Sequence, residues 1–159
     1  MYNATVTVFN YYESSTTGVG LWYPHVLSGV DLNTDKGAIL KKYGSDSTDN
    51  AELHIVYELQ DGKQIIRDAD GKELPWLPPK EWKRQVNDLL DDTITFEASD
   101  DCFFWEGVWD SGPVNDEDYR GGFYAYMNNQ YDFVYLVSSV GGPYLSLIHI
   151  SEPTRLQLI

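Results

Sequence analysis

Residues 4–11, ATVTVFNY, alternate, with Val6, Val8 and Asn10 on one face and Thr5, Thr7 and Phe9 on the other. Period two with β-branched residues predicts a strand. A polar stretch, 13–20, predicts a turn before a second strand over 21–30, where Pro24 calls for an edge or a bulge. A short strand is expected over 38–43. Residues 51–59, AELHIVYEL, alternate most clearly: Leu53, Ile55, Tyr57 and Leu59 against Glu52, His54, Val56 and Glu58. Asp61-Gly62 predicts a tight hairpin, with the chain returning over 64–68 and turning again at Asp70-Gly71. Further strands are expected over 93–98 and 103–109. The nearly unbroken apolar run at 131–140, YDFVYLVSSV, predicts a central strand.

Two segments change period. Trp82, Val86, Leu89 and Leu90 recur at helical spacing, as do Tyr119, Phe123, Tyr126 and Met127. Pro78 and Pro79 suit a first turn, so one helix is expected over about 79–91. Asn115 can cap a second over about 116–129, whose first turn carries Asp116, Glu117 and Asp118. Asn128-Asn129 suits its stop. The expectation is a mainly β (α+β) chain: a single antiparallel β-barrel or sandwich with two short helices.

The last fifteen residues change that picture. Residues 145–155, LSLIHISEPTR, resemble the transposon-end adapter of DNA sequencing libraries read in frame. Leu156 fits the base that follows, Gln157 and Leu158 fill the barcode, and Ile159 fits the next adapter codon. The expectation is one β-rich domain over 1–144, cut at its C-terminal end, and a non-native tail over 145–159. On that reading 145–150 either pairs with the 131–140 strand or hangs free, and 151–159 packs against nothing. His149 is set aside as chemistry.

Composition then narrows the functional classes. Eleven basic residues face 25 acidic ones, for a net charge of −14, and removing Arg155 with Glu152 leaves it unchanged. Such a field repels phosphate backbones, so no specific nucleic-acid binding is expected. Five Trp and twelve Tyr supply a core despite the charge. One cysteine, Cys102, permits no disulfide within the chain. The N-terminus lacks the pattern of a secretory signal, and no stretch approaches the ~20 apolar residues of a membrane span.

Candidate chemistry is sparse. The carboxylates Asp100, Asp101, Glu106, Asp110, Asp116, Glu117 and Asp118 could form a metal site or a glycosidase pair. Without calcium-loop spacing they read better as a solvated rim and a helix start, so no metal is expected and a hydrolase ranks third. Cys102 with His25 or His54 could make a nucleophile and base. Beside Phe103 and Phe104 it reads better as a small buried hydrophobe. Gly121-Gly122 and Gly141-Gly142 lack the Lys-Ser/Thr of a phosphate loop. Trp105 and Trp109 would share a strand face. Exposed, they could stack sugars; as core they would be buried, the better reading. The expectation is no catalytic residue and no cofactor.

The words TVTVFNYY, WYPHVLSGVDL and DCFFWEGVWDSGPVNDEDYRGGFYAYMNNQYDFVYLVSSVGGPY resemble a family of small proteins in tailed phages and prophages of gut Firmicutes. Their genes lie in the head-morphogenesis cluster, beside minor capsid and head–tail joining proteins. The resemblance covers most of 1–144. It implies a virion structural protein, a head–tail connector or head-completion subunit without catalysis. Its partners would be the portal, neighbouring head–tail proteins and further copies in a homo-oligomeric ring. Its place would be the cytoplasm of the bacterial host during assembly, then the virion. The alternative is a carbohydrate- or peptide-binding β-module using exposed Trp22, Trp105 or Trp109.

Overall fold

The computed structural model describes residues 3–34, 51–137, 140–141 and 154–158. The strand expected over 38–43 and the pairing of 145–150 lie outside them. The strands are β1 (Ala4–Glu13), β2 (Gly20–Thr34), β3 (Ala51–Gln60), β4 (Lys63–Arg67), β5 (Glu73–Pro75), β6 (Cys102–Trp105), β7 (Val114–Asn115), β8 (Val134–Leu136), β9 (Val140–Gly141) and β10 (Thr154–Leu158). Among the described residues the main path runs β5-β4-β3-β2-β1-β6-β8 and does not close. The chain is mainly β, an open antiparallel sheet rather than a closed barrel.

One face of the sheet carries the inner apolar cluster and the opposite face carries an aromatic one. Val6 and Val8 of β1, Leu53, Ile55 and Tyr57 of β3, Phe104 of β6 and Tyr135 of β8 all enter the inner cluster. Phe9, Phe103 and Trp22 point to the opposite face and form an aromatic cluster with Val114, Phe123 and Met127. The period-two reading of β1 and β3 therefore holds. Residues 6–10 are buried because β1 is an interior strand, paired with β2 and β6, with a cluster on each face.

β2 serves both layers through a bulge. Thr5 faces Ser28 and Ala4 faces Val30, so Gly29 is the extra residue, at φ +66°. A left-handed glycine at a bulge reverses the inward parity, which lets Leu27 and Val30 both reach the inner cluster. Pro24 faces Phe9 on one side. On the other it lies between the stretches paired by β7 and by β3, which agrees with the edge expected for it. The β3–β4 hairpin turns at Asp61 (φ +52°) and Gly62 (φ +80°), the positive pair expected of Asp-Gly.

Several expectations are corrected. The 79–91 helix is two short helices, α1 (Pro79–Lys83) and α2 (Asp88–Asp92), parted at Asn87 with φ +56°. The 116–129 helix is a 3₁₀ turn (Asp116–Asp118) and α3 (Phe123–Gln130), parted by Gly121 and Gly122 at φ +81° and +99°. Residues 93–98 form no strand beyond a bridge from Ile94 to Trp76. Instead the Asn10 amide binds the Thr95 backbone from both ends, with Nδ2 donating to the carbonyl at 2.8 Å and Oδ1 accepting from the N–H at 3.3 Å. A side chain thus satisfies backbone groups that a strand would have paired. The 103–109 strand is confined to β6. The 131–140 run is not a central strand: β8 ends the main path, paired with β6. The 151–159 tail does not pack against nothing, because β10 pairs antiparallel with β3, Leu156 opposite Ile55, and with β9. β2 and β10 both pair with Leu53 and His54, so they lie on opposite edges of β3. An edge left open by β2 is a template for any alternating segment.

Candidate functional site

Cys102 is fully buried in β6, where Asn10 Nδ2 lies 3.6 Å from its sulfur. Burial pushes its thiol up to about 12, which makes it the small core residue of the sequence reading rather than a nucleophile. His25 is 3 % exposed. Burial lowers its pKa to about 4, against a smaller opposing effect from the backbone of Leu90, Asp91 and Thr93. Among the described residues neither ring nitrogen meets hydrogen-bond geometry with any group. His54 stands half-buried on the outer face of β3, 3.4 Å from Glu52. Among the described residues no hydrogen bond joins Cys102 to either histidine.

The carboxylates are dispersed. Asp100, Glu106, Asp110, Glu117 and Asp118 are exposed. Asp101 shares Lys83 with Glu97, at 2.6 and 2.9 Å, which ties α1 to the loop before β6. Among the described residues no group of three His, Cys, Asp or Glu is placed to hold a metal. Asp116 is structural: its Oδ1 accepts from Trp22 Nε1 at 2.9 Å and from the Phe123 backbone N–H at 2.8 Å. One oxygen thus anchors the indole and caps α3 from seven residues upstream. Asn115 caps the 3₁₀ turn as expected, accepting from Glu117 N at 2.9 Å.

The three candidate tryptophans are brought together, but as walls of the aromatic cluster. Trp22 is 4 % exposed, so no exposed platform can use it. Trp109 is half-buried, edge-on to Phe9 and Phe123, with its N–H donated to Gly112. Trp105 is half-buried against Tyr131, ring centroids 4.9 Å apart. It lies so close to Gly107 that a Cβ there would come within 2.5 Å of the indole.

A different tryptophan lines a cleft. Between the β3–β4 turn and α1 is an open groove of about 530 Å³. Trp76, Pro75, Leu77 and Pro78 give it apolar surface, and Lys63, Glu81 and Gln85 give it polar groups. Sequence reasoning missed Trp76, which sits alone between two prolines with no periodic partner. Its nearest signal was the Pro-Trp-Leu-Pro-Pro run itself, an aromatic held by rigid flanks.

Fold and surface together define the class: an open, mainly β sheet flanked by short helices, with its titratable core residues silenced by burial. Among the described residues no helix is long and apolar enough to cross a membrane. Residues 1–142 match the model of a family of unknown function, DUF6751, and the chain belongs to that family. No curated protein and no solved structure matches it.

Proposed function

We propose that the chain is a non-catalytic structural subunit of a tailed-phage virion, a head–tail connector or head-completion protein. It works through surfaces that pack against the portal, neighbouring head–tail proteins and further copies of itself in a ring. The observation that carries the reading is the set of large apolar side chains exposed to solvent: Val86 and Leu89 at the α1–α2 break, with Val108 elsewhere. Val86 and Leu89 are 55 % and 53 % exposed, although the same segment buries Trp82 and Leu90 completely. Exposed apolar pairs on an acidic, charged chain suit contact with neighbouring subunits. The resemblance of the sequence to head-morphogenesis proteins supplies the setting: synthesis in the host cytoplasm, then incorporation in the virion. A net charge of −14 would let a ring pass DNA without gripping its phosphates.

Two tests bear on it. The flanking genes should encode portal and capsid proteins; a metabolic operon would overturn the reading. Sedimentation of the chain alone and mixed with the portal should show a ring or a complex. Val86→Asp with Leu89→Asp should abolish that species while leaving the melting temperature nearly unchanged. A wild-type chain that stays monomeric and unbound under both conditions contradicts it.

A further inference from the structure

β3 and β9 together make a slot for one strand, and this holds whether or not the chain is a virion subunit. β3 meets β2 through residues 51–54 on one edge. On the other edge residues 53–57 pair with β10 in unbroken antiparallel register, and β9 pairs with β10 through Val140 and Gly141. β3 and β9 lie within the residues that the family model matches, whereas β10, at 154–158, lies beyond them. The strand that fills the slot is therefore outside the matched body that forms it. What it offers is a backbone and an alternation: Thr154, Leu156 and Leu158 fall opposite Tyr57, Ile55 and Leu53, with Arg155 and Gln157 between. An edge that takes such a segment reads main-chain groups first and alternate side chains second, which is recognition by strand addition.

The two faces of β3 describe the occupant. Leu53, Ile55 and Tyr57 belong to the inner cluster, so incoming residues opposite them share the apolar face. The other face carries Glu52, His54, Val56 and Glu58. Arg67 engages both carboxylate oxygens of Glu58, at 3.1 and 3.3 Å. Glu52 is exposed and meets His54 at 3.4 Å, and among the described residues no Lys or Arg reaches it. One step past the pair at Leu53, an incoming residue comes opposite Glu52. A second copy of β3 is a poor occupant. Pairing Leu53, Ile55 and Tyr57 with their own copies, centred on Ile55, sets Glu52 directly against Glu58 at both ends. We propose that the β3–β9 slot binds an extended segment of a separate protein, apolar at alternate positions and basic where it passes Glu52. The net charge of −14 favours the same basic partner.

A full chain carrying Arg155→Pro with Leu156→Pro frees the slot, because adjacent strand residues aim their N–H groups at opposite neighbours and proline has none. The probe is a fluorescein-labelled, amidated peptide with the sequence of residues 151–159, read by anisotropy, beside versions with Lys or Glu in the final position and a scrambled control. The proline variant should bind the peptide at least about tenfold more tightly than the unaltered chain, whose own β10 competes at high effective concentration. The Lys version should bind several-fold more tightly than the Glu version. That difference should vanish in Glu52→Gln and shrink between about 50 and 500 mM salt. Bound peptide should slow hydrogen exchange at amides within residues 53–57. Leu156→Ser with Leu158→Ser removes the apolar alternation without proline, should open the slot as well, and serves if the proline variant does not fold. No binding by either tail variant, equal binding of the scrambled peptide, or indifference to the Lys–Glu exchange would overturn the proposal. So would a concentration-dependent dimer of the tail variants that protects β3 and excludes the peptide, which would make a second copy the occupant.

Discussion

The two segments that read as helices, 79–91 and 116–129, both break in the middle, yet their stripes fare differently. In the second, Tyr119, Phe123, Tyr126 and Met127 all pack on the aromatic cluster despite the break. In the first, Trp82 and Leu90 are fully buried while Val86 and Leu89 turn outward. The difference lies in what makes each break. Gly121 and Gly122 adopt positive φ at low cost and precede α3, so the apolar residues of α3 keep their spacing, with Asp116 capping from outside. Asn87 interrupts the first stripe at its centre. α1 ends with Gln85 binding the Trp82 carbonyl, and α2 ends with Thr93 Oγ1 donating to Leu89 O at 2.6 Å. The ends of the stripe stay fixed on Tyr23, and the middle is expelled.

The strongest way to break this comparison is Trp82→Ala. The indole is fully buried, edge-on to Tyr23 at 6.0 Å, and donates to the Thr93 carbonyl at 3.1 Å. Its loss should cost about 3–5 kcal/mol in urea unfolding. A cost under about 1 kcal/mol would mean that the 79–92 segment is not anchored there.

Acid should act on the same segment. His25 of β2 lies against the backbone of Leu90, Asp91 and Thr93 and is neutral. The unfolded chain takes up a proton near pH 6.5; the folded chain does so only near 4. This group therefore leaves stability unchanged above pH 6.5 and reduces it as pH falls from 6.5 to 4. That gap corresponds to about 3 kcal/mol. His25→Leu should flatten this part of the pH–stability curve; an unchanged slope would show that other groups cause it.

Asp116→Ala should cost about 1–3 kcal/mol, since it strands the buried Trp22 N–H and uncaps α3. Loss of α3 amide protection in hydrogen exchange, with α1 and α2 unaffected, would sharpen the contrast. Equal loss in both segments would refute it. The smallest effect is a gain. Asn87 pairs φ +56° with ψ −131°, a conformation that glycine adopts more readily. Asn87→Gly should stabilise by about 0.5–1 kcal/mol, read as a rise in melting temperature. A fall would assign Asn87 a role beyond permitting the break.

Periodicity determined much of this protein by itself. The alternation of 4–11 and 51–59 placed Val6, Val8, Leu53, Ile55 and Tyr57 in the core, and Asp61-Gly62 made the hairpin, because a strand's faces and a left-handed turn are local properties. Asn115 was legible as a cap for the same reason. Of the candidate site residues, Cys102 was legible as core from its Phe neighbours, whereas Trp22 read as exposable and is buried. Only the tertiary structure decided that Asn10 would hold the Thr95 backbone, 85 residues away, in place of a strand. It alone sent 131–140 to the end of the sheet path, paired β10 with the open side of β3, and set Trp76 in a groove with Lys63, Glu81 and Gln85. The reason is common to all of these. Each depends on which backbone groups and side-chain faces are left unpaired once the strands have assembled, and no local period in a sequence records that remainder.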